Sequence, residues 1–337
     1  MKNTHTNVVN NITELVAKTP LVRLNQLSKD LNCNIYAKVE GFNPGNSAKD
    51  RSALYMIEEA EKKGLIKAGA TIIEATSGNM GFSIAMMCCI KGYKCVLTVK
   101  NTASAEKLAM LKAMGARVIL CPIVDSQDPQ SYYKRAEKLA VDIPNSYYLN
   151  QNYNTDNASA HYASTGPEIW HQTEGKITHF VCAGGTCGTL VGSGRYMKEQ
   201  NPDVNIIGVD AYGSVLQKYH EEEIFDKEEI YSKKVEGLGK DIIPANYDRS
   251  VINTFLKVTD KDSALQARAI TRQEGLFIGY SSGSTVQAVR DMADQLKPTD
   301  TVVLLFSDHG SRYLSKIYND EWMEAQGYIK SLKLAAV

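Results

Sequence analysis

Short apolar runs alternate with longer stretches of helical period along almost the whole chain. The runs lie at residues 35–39, 71–74, 95–99, 117–121, 179–182, 205–209 and 301–306, each the length of a strand buried on both faces. Between them, at 51–63, 80–90, 105–114, 131–141, 159–171 and 285–296, the apolar spacing follows the period of an amphipathic helix. Strand, helix and strand in this order make βαβ units, which build a mostly parallel sheet with helices on its faces. Gly64, Gly92 and Gly115 stand where helices must stop, the place of a left-handed cap. The 337 residues exceed one average domain of about 150, so two α/β domains are expected.

The charge balance excludes whole classes of function. Lys plus Arg is 38 and Asp plus Glu is 38, so no basic excess exists to neutralise a phosphate backbone, and no nucleic-acid partner is expected. No apolar run approaches the roughly 18 residues of a membrane span, and no membrane partner is expected. Residues 1–11 are polar and lack the apolar core of a secretory signal, which points to a cytoplasmic protein. The seven cysteines (Cys33, Cys88, Cys89, Cys95, Cys121, Cys182 and Cys187) include no C-x-x-C pair and have mostly apolar neighbours. They read as small buried hydrophobes in a reducing compartment. The six histidines include no H-x-x-x-H pair, so no metal site is expected. The charged stretch 221–234 reads as a surface excursion, a helix pair or a loop.

Five segments rich in glycine and hydroxyls carry the chemistry, most of them at the end of an expected strand, where open α/β sheets place ligands. They are Asn43-Pro44-Gly45-Asn46-Ser47-Ala48-Lys49-Asp50-Arg51, Thr76-Ser77-Gly78-Asn79-Met80-Gly81, Gly184-Gly185-Thr186-Cys187-Gly188-Thr189, Gly279-Tyr280-Ser281-Ser282-Gly283-Ser284 and Ser307-Asp308-His309-Gly310-Ser311-Arg312. The second and third run from strand to helix, where backbone amides and hydroxyls make an anion site. The third has neither the lysine of a P-loop nor the dinucleotide fingerprint. Ser, His and Asp adjoin in the fifth, but a hydrolase triad assembles from separate places, and no G-x-S-x-G elbow exists.

Taken together and in order, these segments resemble the fold-type II pyridoxal phosphate enzymes of the cysteine synthase / cystathionine β-synthase family. The resemblance runs from Thr19-Pro20-Leu21-Val22-Arg23-Leu24 to about Tyr328. It implies two three-layer αβα domains with twisted, mostly parallel sheets, like the tryptophan synthase β subunit. Residues 1–48 and 157–337 are expected to form the larger, phosphate-binding domain, and residues 49–156 a smaller mobile domain for the substrate carboxylate. It implies pyridoxal 5'-phosphate as cofactor and Lys49 as the Schiff-base lysine. Asn79, Gly185, Thr186, Cys187, Gly188, Thr189, Ser282, Ser307 and Asp308 are the implied cofactor contacts, with Ser307 and Asp308 as alternative partners of the pyridine nitrogen. Thr76, Ser77, Gly78, Met80, Gln151, Glu236 and Gly237 are the implied substrate contacts. The reaction implied is β-replacement on serine or cysteine through an aminoacrylate, in a homodimer whose only other partners are small amino-acid and thiol substrates.

Val235-Glu236-Gly237-Leu238-Gly239-Lys240-Asp241, Ala160-His161-Tyr162 and the end at Asn319–Met323 look like the cystathionine β-synthase branch, whereas Thr165-Gly166-Pro167-Glu168-Ile169-Trp170 looks like cysteine synthase. The first branch condenses serine or cysteine with homocysteine or another thiol and releases water or hydrogen sulfide. The alternatives are cysteine formation from O-acetylserine and sulfide, and a cysteine lyase releasing hydrogen sulfide. A catalytic core without haem extension or regulatory module is expected. Three positions depart from the family pattern: Met80 replaces a threonine, Cys187 a glycine and Lys240 a tyrosine. The non-glycine at 187 is expected to keep the loop at negative φ. Glu236 and Lys240, opposite in charge, are expected either to pair with each other or to select the second substrate.

Overall fold

The computed structural model describes residues 8–76 and 78–330. Its strands are β1 (Leu21–Arg23), β2 (Asn34–Val39), β3 (Thr71–Ala75), β4 (Lys94–Lys100), β5 (Arg117–Cys121), β6 (Ser146–Tyr148), β7 (His179–Ala183), β8 (Asn205–Ala211), β9 (Thr254–Val258) and β10 (Thr301–Phe306). Its helices are α1 (Asn25–Leu31), α2 (Lys49–Lys62), α3 (Asn79–Lys91), α4 (Ala105–Ala113), α5 (Tyr132–Asp142), α6 (Asp156–Ala163), α7 (Thr165–Gln172), α8 (Gly188–Gln200), α9 (Leu216–Glu222), α10 (Asp260–Glu274), α11 (Tyr280–Asp291) and α12 (Asp320–Ala325).

The chain divides into two compact units. The smaller holds the described residues up to Lys18 together with Asn43–Gln151; the larger holds Thr19–Phe42 and the described residues from Asn152 onward. The sequence expectation put residues 8–18 and 43–48 with the larger unit and 152–156 with the smaller. At these boundaries Ala17 N donates to Asn43 Oδ1 at 2.8 Å, and Ala245 N donates to Asn152 O at 2.9 Å.

The smaller unit is built on a parallel sheet of order β5-β4-β3-β6. Its central strand, β3, is buried on both faces. Ile72 joins a cluster with Met56 and Ile84, while Ile73 and Ala75 join Val96, Tyr133 and Ala136 on the other side. The larger unit has a six-stranded sheet of order β1-β2-β10-β7-β8-β9, parallel except for β1. The early strand β2 pairs with the late strand β10, which ties residues 19–42 to this unit. Along β10, Val302, Leu304 and Phe306 enter one cluster and Val303 and Leu305 the other. A strand with apolar neighbours on both faces cannot alternate with polar residues, hence the unbroken run Thr301–Phe306.

All seven expected strands are present, and β1, β6 and β9 are additional. The single helix expected over 159–171 is two. Pro167 has no N–H to give a carbonyl one turn back, so it is tolerated in the first turn of a new helix and not in the interior of a long one. The break falls at Ser164 (φ −131°), whose hydroxyl donates to Ala160 O at 2.6 Å. Residues 221–234 are no helix pair: beyond the end of α9 they hold one short 3-10 turn, Lys227–Glu229. All seven cysteines are free, and Cys89 alone among them is exposed. Among the described residues no helix is long and apolar enough to cross a membrane.

Candidate active site

The lysine turn of the smaller unit is held by a buried carboxylate. Asp50, in the first turn of α2, accepts Gly45 N and Ser83 Oγ, each at 2.5 Å. A Cβ at position 45 would lie 2.3 Å from Asp50 Oδ1, so glycine alone lets the amide reach the carboxylate. Asn46 turns the chain at φ 57° and donates its amide to Asn43 O at 2.7 Å. Lys49, the first residue of α2, is half-buried on this turn. The Ser83 hydroxyl also lies 3.1 Å from Asn79 O, so one chain of polar contacts joins the Lys49 turn to the start of α3.

Thr76 continues β3 by donating its amide to Thr98 O at 3.0 Å, and its hydroxyl accepts Gly78 N at 3.3 Å. Ser77 lies outside the described residues. Gly78 is extended and no side chain caps α3, so the helix starts with amides in the orientation that favours an anion. Met80, one of the implied substrate contacts, turns its side chain inward. Its side chain is 2 % exposed and lies in the apolar cluster with Ile84 and Leu97, because a thioether gains by burial where a hydroxyl would face the turn. Gln151 is buried, and its backbone and side-chain amides both donate to Glu74, at 3.3 and 3.4 Å. Glu74 carries no sequence signal beyond an acidic residue inside a buried strand.

In the larger unit, the loop 184–189 joins β7 to α8. Gly184 N donates to Val209 O at 2.7 Å, and Gly239 N donates to Gly184 O at 2.6 Å. A Cβ at Gly185 would stand 2.6 Å from Gly237 O, so the segment 235–241 lies directly against the loop. Thr186 and Thr189 are buried, each with its hydroxyl bonded to a side chain of α6. Cys187 overturns the expectation of negative φ: it adopts φ 61°, ψ −4° as the residue before α8. Its thiol is buried in the cluster with Leu190 and Phe255. The loop geometry is therefore kept at a cost of about 1–2 kcal/mol of left-handed strain. Cys187→Gly exchanges that strain for a buried thiol worth a comparable amount. The expected outcome in thermal melts is stability within about 1 kcal/mol of the parent, with unchanged or tighter cofactor binding. Cys187→Val, β-branched in a left-handed position, is expected to lose both. Loss of cofactor in the glycine variant would give the thiol a specific role.

Ser282 is fully buried, and its hydroxyl accepts Ser307 N at 3.1 Å. Asp308 is buried and accepts the Tyr313 hydroxyl at 2.8 Å. Burial, and then the Asp308 carboxylate, hold the Tyr313 phenol well above its usual range, so it remains a donor. Ser307 is half-buried. One hydroxyl that the motif reading passed over is Ser281, buried in the first turn of α11 and hydrogen-bonded to no group among the described residues. The doubled serine was its signal, since adjacent helix positions cannot face the same way. Glu236 does not pair with Lys240. Lys316 Nζ meets Glu236 Oε1 at 2.6 Å, with both side chains about 30 % exposed, and Lys240 donates its backbone amide to Ser214 Oγ at 2.8 Å. Gly237, next to Glu236, turns at φ 79°.

Comparison with known proteins agrees with the motifs. The family model for pyridoxal-phosphate dependent enzymes matches residues 12–308, a span that includes Lys49, Asn79, the loop 184–189 and α11. The chain is 41 % identical over 329 residues to cystathionine beta-synthase of Apis mellifera, covering 97 % of this chain and 64 % of that protein. It is 38 % identical over 322 residues to cysteine synthase 1 of Emericella nidulans, covering 95 % and 87 %. A hydrogen sulfide-producing enzyme from Fusobacterium nucleatum superposes with a TM-score of 0.83 at 35 % identity, over 91 % of this chain and 100 % of that one. The chain thus spans somewhat less than two thirds of the length of the first cystathionine beta-synthase relatives it matches. The fold-type II reading is borne out, and the chain belongs to the pyridoxal-phosphate dependent enzymes.

Proposed function

We propose that the chain catalyses β-replacement on serine or cysteine, with an amino-acid thiol such as homocysteine as second substrate. Pyridoxal phosphate, when bound, supplies the electron sink that stabilises negative charge at the substrate Cα. The donors of the loop 184–189 suit a phosphate: backbone amides at a helix start, two threonine hydroxyls and no side chain in the way at Gly185. Lys49 would hold the cofactor covalently, and its Nζ, when free, would accept the substrate's Cα proton. Asn79 would bond the cofactor ring, and the amides that open α3, with the Thr76 hydroxyl, would bind the substrate carboxylate beside Gln151, which Glu74 orients. For the pyridine nitrogen we assign Ser281, whose buried hydroxyl bonds no other side chain among the described residues. A hydroxyl there, unlike a carboxylate, would not keep the nitrogen protonated.

The observation that carries the choice of second substrate is the clasp between loop 184–189 and segment 235–241, which sets Glu236, with Lys316 beside it, next to the loop. A carboxylate and an ammonium side by side complement the ammonium and carboxylate of an incoming amino-acid thiol, and sulfide has neither. A cytoplasmic homodimer completes the proposal; the free, mostly buried thiols suit a reducing compartment. The test is product identification by mass spectrometry after incubation with serine or cysteine plus homocysteine, with O-acetylserine plus sulfide, and with cysteine alone. Cystathionine as the main product is expected. Cysteine from the second mixture, or hydrogen sulfide without a replacement product from the third, would instead assign the activity named for the cysteine synthase or the hydrogen sulfide-producing relative.

A further inference from the structure

Helix α6 stands behind the loop 184–189 and bonds both of its threonines. Asn157 Nδ2 donates to Thr186 Oγ1 at 3.0 Å, and His161 Nε2 lies 3.1 Å from Thr189 Oγ1. Asn157 and His161 are four residues apart, on one face of the helix, and both are fully buried. The other ring nitrogen of His161 lies 2.8 Å from Thr165 Oγ1, at the start of α7. The helix is itself fixed, since Ala158 N donates to Asn246 Oδ1 at 3.2 Å.

A hydroxyl has one proton to give, and its direction depends on what the oxygen already accepts. Thr186 Oγ1 accepts from Asn157, so its own proton is left for another acceptor. The same holds at Thr189 if His161 donates from Nε2. The Thr165 hydroxyl can donate to Nδ1, and the tautomer that accepts there carries its proton on Nε2. We propose that Asn157 and His161 are positioning residues that make both loop hydroxyls donors toward a phosphate dianion, with His161 protonated at Nε2. The proposal rests on the reading of loop 184–189 as the cofactor's phosphate site. Neither residue touches the ligand; each acts through the threonine it bonds.

A positioning role of this kind is specific for phosphate, whereas damage to the fold is not. The test measures equilibrium binding of pyridoxal phosphate and of pyridoxal, which lacks the phosphate, to the cofactor-stripped full chain. Asn157→Asp cannot donate and adds negative charge behind the loop. It is expected to weaken pyridoxal phosphate roughly 10- to 100-fold, the scale of one charge-assisted hydrogen bond, while pyridoxal binds as in the parent. His161→Leu is expected to behave alike, and His161→Gln, whose amide can donate to Thr189, to recover most of the loss. If Asn157→Asp fails to fold, the contrast between Leu and Gln at 161 decides alone. Equal loss of both ligands, or no loss of pyridoxal phosphate, would overturn the proposal. Failure of the underlying reading looks different: the parent itself would then bind pyridoxal phosphate no more tightly than pyridoxal.

Discussion

Lys49→Ala is expected to abolish the visible absorption of the bound cofactor and to lower turnover by at least about 10²–10⁴-fold, the worth of a positioned general base alone. The fold should survive. Lys49 is half-buried at the first position of α2, and its turn is shaped by the bonds of Gly45 N and Ser83 Oγ to Asp50 and of Asn46 N to Asn43 O, which leave out its side chain. Absorbance, turnover and far-ultraviolet circular dichroism on the same preparation check this. An alanine variant that keeps both the absorbance and the turnover would remove Lys49 from the chemistry.

Lys38→Met is expected to cost the larger unit about 3 kcal/mol, the lower end for breaking a buried ion pair. Lys38 is a fully buried lysine on β2, and its three ammonium hydrogens have three acceptors: Thr19 O at 2.6 Å, Glu168 Oε2 at 2.6 Å and Gln172 Oε1 at 3.0 Å. Methionine fills the stem's volume but leaves the carboxylate and the carbonyl facing an apolar group. Glu168 keeps 18 % of its side chain exposed, which moderates the penalty. A fall in the melting midpoint of roughly 6–12 °C follows for a unit of this size. The variant distinguishes two lysines that sequence treats alike: Lys38 holds the fold, so its loss should reduce stability more than the specific activity of the folded fraction.

Much of the sheet was legible because a buried parallel strand leaves an apolar run, unbroken over residues 302–306. β1 and β6 were not, since three residues carry too little pattern, and β9 is an edge strand with only Phe255 and Val258 buried. The order of the motifs gave the family. Side-chain identity at a motif position did not give its orientation. Met80 occupies a turn position but faces the core, Glu236 pairs with Lys316, 80 residues away in the chain, and Cys187 takes a left-handed conformation that a propensity argument rejects. Partners from distant segments, such as Glu74 for Gln151 and His161 for Thr189, leave no local signal. The division at residues 18, 42 and 151 was hidden for the same reason, because β2 finds its neighbour more than 260 residues later.

The central claim is that Lys49 carries the cofactor. Reductive trapping tests it most directly: the cofactor-loaded protein is treated with borohydride, digested, and the peptides are weighed and sequenced by mass spectrometry. The expected result is a phosphopyridoxyl mass confined to the peptide that contains Lys49. A modification on any other lysine, with the Lys49 peptide unmodified, would contradict it.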